Sequence, residues 1–224
     1  YFHLKLIDLM NKIKLLKYDV FIFDWDGTLN PMRLVLRING KLKRFTKFFD
    51  SLKRTKKIDI INLNKLDKEI IKHKEAKNNL LSIIIDMFLI FSKPKIHNDT
   101  IKLLQLLKKN NKKIVLFTNG GNYRVEKELH DLKLNKYFDL VISARKLRAL
   151  KPSSTGIELI CKLLKSDKQR VLMLGDSIDD LISGKNAKVN ICGISDGFDS
   201  FKTLKSAKPN YLFKSIEQLK NNLE

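Results

Sequence analysis

Short runs of apolar residues alternate with amphipathic stretches along most of the chain. The apolar runs are rich in strand-forming residues and cover residues 20–23, 113–117, 139–143, 170–174 and 189–194, of which the last is the final clear strand. Because these runs are continuous rather than alternating, they predict strands buried on both faces, as in a parallel sheet. Helical patterns between the strands predict right-handed crossovers, and hence an α/β fold with a doubly wound parallel sheet.

Apolar residues at helical spacing predict the helices. Residues 4–16 carry one apolar stripe and predict a helix that docks on the core. A helix that continues to Leu107 begins near Asn98 or Asp99, either of which is a typical N-cap residue. Further helices are predicted over 123–132, over 154–164, and shortly after residue 180.

The segment between Pro31 and Pro94 differs in character from the rest. Asn30-Pro31 interrupts the strand pattern, since proline fixes its own φ and disfavours helix before it. Apolar spacing over 42–52, 66–71 and 80–91 then predicts a small insert of about three helices. The plainer interpretation of the basic residues at its start is a solvated helix face, and contact with an anionic substrate is the alternative; they are Arg33, Arg37, Arg44 and Lys47.

Composition excludes several classes of protein. With 224 residues, 43% of them hydrophobic, the chain can bury one sizeable core. The formal net charge of +21 permits nucleic-acid binding, but arginine supplies only 8 of the 45 basic residues and the lysines are evenly spread, which favours compositional drift. Cys161 and Cys192 lie in apolar segments and are expected to be reduced. With no signal-peptide pattern and no apolar run long enough to span a bilayer, we expect a cytoplasmic protein without membrane contact.

Polar residues gather where the predicted strands end. Asp24 and Asp26 follow the first strand, Thr118 and Asn119 follow the second, and the segment 176–180 follows the fourth. In an open parallel sheet, the carboxyl ends of the strands meet at one edge, where ligands bind. Two acids at such an edge repel each other unless a cation lies between them, so a divalent metal is expected there. Lys151, before a helix, adds an amine to this set.

The four motifs in this order resemble those of the haloacid dehalogenase-like hydrolase superfamily. They are D-W-D-G-T-L from Asp24, T-N at Thr118, Lys151-Pro152, and G-D-S-I-D-D from Gly175, and the resemblance covers about residues 19–194. It implies a Rossmann-like core domain formed by residues 1–30 and 94–224. The helical segment 31–93 would be a small inserted cap domain, as in relatives similar to phosphoglycolate phosphatase.

The resemblance also implies a role for each motif. Asp24 would be the nucleophile that forms an aspartyl-phosphate, and Asp26 would be the acid–base group. Thr118 and Lys151 would complete the catalytic set. The phosphoryl group would be bound by Asp24, Gly27, Thr118, Asn119 and Lys151. Mg²⁺ would be bound by Asp24, Asp26 (through its backbone carbonyl), Asp176 and Asp180, with Asp179 as the competing choice at the last position.

The function implied is a Mg²⁺-dependent phosphatase of small phosphorylated metabolites, acting as a monomer or a homodimer. A phosphomutase uses the same two aspartates, and a phosphatase of nucleotide or nucleic-acid ends would give the positive charge a purpose. A dehalogenase or a non-catalytic module would have no use for Asp26 as an acid. Two departures from the expected pattern concern the pocket rather than the chemistry: bulky Trp25 between the two aspartates, and Asn30, Pro31 and Met32 after the first motif.

Overall fold

Four consecutive buried residues, Val20–Phe23, form the central strand β1. The computed structural model describes residues 17–33, 87, 89, 94–144, 147 and 149–223. Within these ranges six strands form one sheet in the order β3-β2-β1-β4-β5-β6, and every neighbouring pair is parallel. The other strands are β2 (Lys113–Thr118), β3 (Leu140–Ser143), β4 (Val171–Gly175), β5 (Asn190–Ile194) and β6 (Tyr211–Phe213).

Helices cover both faces of this sheet. In chain order the α-helices are α1 (Asn98–Lys109), α2 (Asn122–Asp131), α3 (Thr155–Leu163), α4 (Ile178–Asn186), α5 (Phe201–Ser206) and α6 (Ile216–Asn221). Phe21 and Phe23 pack in a core cluster with apolar residues of α1, α2 and α6. Val20 and Ile22 belong to a second cluster with residues of α3, α4 and α5. Because successive strand residues point to opposite faces, a continuous apolar run is needed to fill both clusters, which is the doubly wound arrangement predicted.

The topology brings the ends of β1, β2 and β4 to one edge. β1 lies between β2 and β4, with Phe23 opposite Leu116 on one side and Leu174 on the other. The chain fills one side of β1 with β2 and β3 and then crosses to the other side with β4. Such a reversal of strand order opens a crevice at the carboxyl ends of the strands.

Some predicted features need correction. The last strand is β6, not the predicted strand at 189–194; three residues are too few for a periodic signal, and pairing with β5 defines this strand. Neither Asn98 nor Asp99 caps α1: the N-cap is His97, without a side-chain cap hydrogen bond. Asp99 instead accepts a hydrogen bond from Lys220 of α6 at 3.1 Å, a tertiary contact that local sequence does not reveal.

Other predictions fall wholly or mainly outside the described residues. The helix at 4–16 lies wholly outside them. Of the insert at 31–93, only residues 31–33, which are not helical, and Met87 and Leu89, which are helical, are described. The prediction for cysteine is confirmed, since Cys161 and Cys192 are free and buried. Across the described ranges, no helix has both the length and the apolar character to cross a bilayer.

Candidate active site

Three carboxylates and an ammonium group meet beyond the carboxyl ends of β1 and β4. Lys151 Nζ lies 2.6 Å from Asp24 Oδ1 and 2.6 Å from Asp180 Oδ1. It also donates to the carbonyl oxygen of Phe117 at 3.0 Å. The backbone N–H of Asp24 donates to the Leu174 carbonyl at 3.0 Å, so the ladder between β1 and β4 extends to this residue and fixes its position.

Asp176 directly follows β4, and its carboxylate is held on both oxygens. Thr28 Oγ1 donates to Asp176 Oδ1 at 2.8 Å, and the backbone N–H of Phe198 donates to Oδ2 at 2.7 Å. The residue is 1% exposed. Two donors of fixed direction therefore orient a buried carboxylate that sequence alone marks only as a strand-end acid.

Asp180 is placed by the N-terminus of α4. Ser177 is the N-cap, and the two residues form a reciprocal capping box. Asp180 Oδ2 accepts from the Ser177 hydroxyl at 2.6 Å and from its backbone N–H at 3.0 Å, which leaves Oδ1 for Lys151. Asp180, not Asp179, is the acid that joins the buried cluster.

Asn119 positions Lys151 through its side chain. The Lys151 backbone N–H donates to Asn119 Oδ1 at 2.9 Å, and Asn119 Nδ2 donates to the Lys151 carbonyl at 3.3 Å. The side-chain amide expected to bind phosphate thus joins β2 to the loop before α3. Thr118 is buried at the end of β2, where its hydroxyl accepts from the backbone N–H of Gly120 at 3.0 Å.

The Asp26 side chain lies outside the carboxylate cluster and faces cations. Arg124 of α2 contacts both of its oxygens, with Nη1 at 3.1 Å from Oδ1 and Nη2 donating to Oδ2. Arg33 Nη2 lies 3.5 Å from Oδ1. The expectation of a solvated helix face is therefore wrong for Arg33, the one member of that basic group within the described residues.

The pKa values of the clustered groups are shifted by burial and by their mutual charges. Burial raises the pKa of Asp24 to about 7, against the effect of the Lys151 ammonium. Burial, together with the charges of Asp24 and Asp180, raises the pKa of Asp176 well above its usual range. Although burial opposes it, the charges of Asp180 and Asp24 raise the pKa of Lys151. Within the described part of the chain, the Lys151 ammonium contacts two of the three buried carboxylates, those of Asp24 and Asp180.

Asp26 responds in the opposite direction. Burial acts to raise the pKa of its carboxyl, but the Arg124 guanidinium and, to a smaller extent, Arg33 hold that pKa below its ordinary value. The two aspartates of the first motif, two residues apart in sequence, therefore have environments of opposite sign. Such a divergence is typical of groups with different tasks in one site.

The donor set fits a divalent cation. Asp24, Asp176 and Asp180 each offer a carboxylate oxygen, and these oxygens lie within 4.8 Å of one another. All three residues are buried. Hard oxygen donors of this kind suit Mg²⁺ or a similar cation, which would also supply the charge that the cluster needs.

The structure adds supporting residues that the motif reasoning did not identify. Thr28, Ser177 and Phe198 donate hydrogen bonds to the carboxylates of Asp176 and Asp180, while Arg124 contacts Asp26 and Glu128. The S-x-x-D spacing at the start of α4 is a capping pattern that could have been found in the sequence. Arg124 and Glu128 are an i, i+4 pair, a pattern that normally indicates a surface ion pair and so carries no signal for a buried one.

Comparisons with known proteins agree with this geometry. Residues 18–188 match the family model for haloacid dehalogenase-like hydrolases. A pyrophosphatase PpaX from Bacillus cereus strain Q1 is 25% identical over 91% of this chain and 95% of its own length. A putative pyrophosphatase PpaX from Caldanaerobacter subterraneus is 30% identical over 56% of this chain, and the chain spans only 57% of that relative.

Solved structures show the same fold at low sequence identity. A putative haloacid dehalogenase-like hydrolase from Bacteroides fragilis superposes with a TM-score of 0.67 at 22% identity, over 90% of this chain and 99% of the other. A predicted phosphoglycolate phosphatase from Haemophilus somnus gives 0.65 at 18% identity, over 91% and 96%. The parallel sheet, the acids at its edge and the match over residues 18–188 lead to one conclusion: this chain belongs to the haloacid dehalogenase-like hydrolase family.

Proposed function

We propose that this protein is a Mg²⁺-dependent phosphatase that hydrolyses a small phosphorylated metabolite through an aspartyl-phosphate on Asp24. The observation that carries the proposal is the Lys151 ammonium group, 2.6 Å from both Asp24 and Asp180. A buried carboxylate nucleophile needs such a cation, since it must remain charged and approach an anionic phosphoryl group.

In the first step, a carboxylate oxygen of Asp24 attacks phosphorus while the bond from phosphorus to the leaving oxygen breaks. Asp26 donates a proton to that oxygen, so the product leaves as an alcohol. Lys151 balances the charge on the nucleophile and the phosphoryl group. The Thr118 hydroxyl and the backbone N–H of Asn119 are the donors for phosphoryl oxygens, and the Asn119 side chain holds the Lys151 loop in place.

In the second step, water attacks the aspartyl-phosphate and the bond between phosphorus and the Asp24 oxygen breaks. Asp26, now a carboxylate, takes the proton of that water, and inorganic phosphate leaves. The pair with Arg124 lowers the pKa of Asp26, which favours the charged form that this step requires and opposes the protonated form that the first step requires. The cycle returns both aspartates to their starting states.

The residues that would hold Mg²⁺ are Asp24, Asp176 and Asp180 through their carboxylates and Asp26 through its backbone carbonyl. When bound, Mg²⁺ would stabilise negative charge on the transferred group. Magnesium is favoured over softer metals because the cluster offers oxygen ligands, without a histidine or a cysteine thiolate among its described members.

The substrate class is inferred from similar proteins. We propose that residues 1–30 and 94–224 form the core and that 31–93 form a cap that selects the substrate. Phosphoglycolate and sugar phosphates are the first candidates, and a predicted phosphoglycolate phosphatase is among the similar solved structures. Inorganic pyrophosphate is a second candidate, favoured by the relatives named pyrophosphatase PpaX.

The test begins with purified protein and p-nitrophenyl phosphate. We expect hydrolysis with Mg²⁺, loss of activity with a chelator, and recovery when Mg²⁺ is restored. Asp24→Asn removes the nucleophile and should lower kcat by at least about 1000-fold. Asp167→Asn, at an exposed 3₁₀-helix cap that asparagine can also form, is the matched control and should retain full activity.

A panel of phosphoglycolate, sugar phosphates and pyrophosphate then ranks the substrates by kcat/KM. Stoichiometric release of inorganic phosphate supports a phosphatase, whereas an isomeric sugar phosphate without phosphate release supports a phosphomutase. Turnover by Asp24→Asn at the rate of the unmodified protein, with circular dichroism showing both folded, would refute the aspartyl-phosphate mechanism.

A further inference from the structure

The Asp26 carboxylate contacts a buried network of charged groups. The Arg124 guanidinium contacts both Asp26 oxygens and, through Nη1, both oxygens of Glu128 at 3.1 and 3.2 Å. The Arg124 side chain is 1% exposed and that of Glu128 is 2% exposed. Both lie on α2, one turn apart, and Asp26 is about a hundred residues away in sequence, so the tertiary fold assembles this network.

Glu128 is held from two further directions. Trp25 Nε1 donates to Glu128 Oε2 at 2.6 Å, and Arg33 Nη2 donates to Oε1 at 2.5 Å. Trp25 lies between the two aspartates of the first motif and is fully buried. Its indole N–H gives a physical reason for a bulky aromatic residue at this position. A chain of contacts therefore runs from Trp25 through Glu128 and Arg124 to Asp26.

This arrangement is costly in stability and specific in geometry. Desolvation of buried ion pairs offsets much of their attraction, so a network of this kind is weak evidence for a purely stabilising role. A guanidinium that contacts both oxygens of a carboxylate fixes its plane as well as its position. Lysine, with a compact ammonium group, would hold the charge without fixing the plane.

We infer that Arg124 is a positioning residue for Asp26, and that Glu128 and Trp25 hold Arg124 in the orientation required. The inference rests on the proposed function, since it concerns the approach of the Asp26 carboxyl group to the leaving oxygen. Proton transfer requires that group within hydrogen-bond reach and correctly aimed. The Arg124 guanidinium contacts both oxygens of Asp26, and none of these contacts involves the Asp24, Asp176 and Asp180 cluster.

Sensitivity to the leaving group separates this role from general support of the fold. Phenolate is a poor leaving group and needs protonation as the bond to phosphorus breaks, whereas p-nitrophenolate leaves with little help. A misaimed Asp26 should therefore impair phenyl phosphate more than p-nitrophenyl phosphate. A loosened fold should impair both to the same extent. The comparison uses kcat/KM, which reports the steps up to release of the leaving group.

The experiment measures both substrates with Mg²⁺ for the full chain and its variants. Arg124→Lys should lower kcat/KM for phenyl phosphate about 10-fold more than for p-nitrophenyl phosphate, part of the 10²–10⁴ that general acid catalysis typically supplies. Glu128→Gln and Trp25→Phe should shift the ratio in the same direction by about 2- to 5-fold. Arg170→Lys is the matched control, because Arg170 makes a bidentate pair with Asp19 at the opposite edge of the sheet.

A double-mutant cycle makes the assignment specific. Asp26→Asn should itself shift the ratio of kcat/KM for the two esters strongly. Adding Arg124→Lys to it should cause no further shift, since the carboxyl group that Arg124 positions is then absent. Equal losses on both substrates, additive shifts in the cycle, or faster turnover of phenyl phosphate in Arg124→Lys would each overturn the inference. If Arg124→Lys fails to fold by circular dichroism, Trp25→Phe, which removes the indole donor together with part of the buried ring, decides the question by the same ratio.

The same data separate this inference from the proposed function. Failure of the unmodified protein to hydrolyse either ester or any member of the metabolite panel would refute the phosphatase itself. Normal activity with an unchanged ratio in Trp25→Phe and Arg124→Lys would refute only the role of Arg124.

Discussion

At the residue scale, Gly27 allows the turn after β1 to pass close to the Asp176 carboxylate. Its φ of +96° is one that residues with a Cβ rarely adopt. A Cβ at this position would overlap the Asp176 carboxylate. The backbone N–H of Gly27 donates to the Asn30 carbonyl at 2.7 Å, which closes the turn. Backbone freedom and close approach both require glycine here.

Replacing this glycine should therefore damage both stability and the site. We expect Gly27→Ala to lower the free energy of unfolding by about 2–4 kcal/mol, from strain at positive φ and from displacement of Asp176. Urea unfolding measures the loss. Gly121→Ala is the matched control: Gly121 has a φ of −65° and is the N-cap of α2, so alanine should cost about 1 kcal/mol or less. Equal losses for the two variants would contradict the argument.

At the scale of the elements, Asp139 connects α1, β2 and β3 at the end of the sheet opposite the site. It precedes β3 and accepts from Lys108 at the end of α1 at 2.5 Å, from Lys113 of β2 at 3.1 Å, and from the backbone N–H of Ile114 at 2.8 Å. Burial acts to raise the pKa of this carboxyl, but these three donors hold it below its ordinary value. These contacts stabilise the sheet at the end of the strands opposite the carboxylate cluster.

The lowered pKa of Asp139 predicts that the free energy of unfolding depends on pH. Because the folded pKa of Asp139 lies below the unfolded one, the unfolded chain binds more protons, and stability rises with pH in that range. The contribution is complete above about pH 4 and is lost as pH falls through the folded pKa. Asp139→Asn should therefore flatten the acid side of the curve. Urea unfolding between pH 5 and pH 2.5 tests it.

A second variant assigns the effect to the ion pair. Lys108→Met should also reduce the slope of the unfolding free energy against pH on the acid side. Adding it to Asp139→Asn should change that slope little, because the two residues act through one interaction. An acid-side slope for Asp139→Asn equal to that of the unmodified protein would contradict the assignment.

At the scale of the whole molecule, the net charge of +21 does not neutralise the buried carboxylates. Asp24 and Asp176 have raised pKa values although lysine is abundant elsewhere, because charges in solvent are screened and buried ones are not. Metal binding to the folded chain should thus couple to global stability. The cluster exists only when β1, β4 and α4 are assembled.

We therefore expect Mg²⁺ to raise the melting temperature. A concentration 100 times the dissociation constant adds about 2.7 kcal/mol, which for a chain of this size corresponds to about 5–10 °C. Differential scanning calorimetry measures the shift. Asp176→Asn should abolish it, whereas Asp139→Asn, which removes an acid far from the cluster, should preserve it. A full shift in Asp176→Asn would exclude the carboxylate cluster as the metal site.

Much of this architecture follows from the sequence because it depends on local pattern. Continuous apolar runs specify buried strands, and the alternation of strands with helices specifies parallel crossovers. The order of the motifs places Asp24, Asp176 and Asp180 at the carboxyl edge of the sheet, and the structure adds that β1 and β4 are neighbours. Failures occurred where the signal was short or depended on a distant partner, as with β6 and the cap of α1.

The sequence by itself determined the fold class, the family and the acids that form the centre, since strand-end position follows from chain order. Only the tertiary structure decided how those acids are held. Lys151 bridges Asp24 and Asp180, Asn119 fixes Lys151, and Arg124 contacts both oxygens of Asp26. Each of these contacts joins residues from different elements, and no periodicity records it. Packing of the assembled elements sets such distances, and these distances decide how each acid ionises.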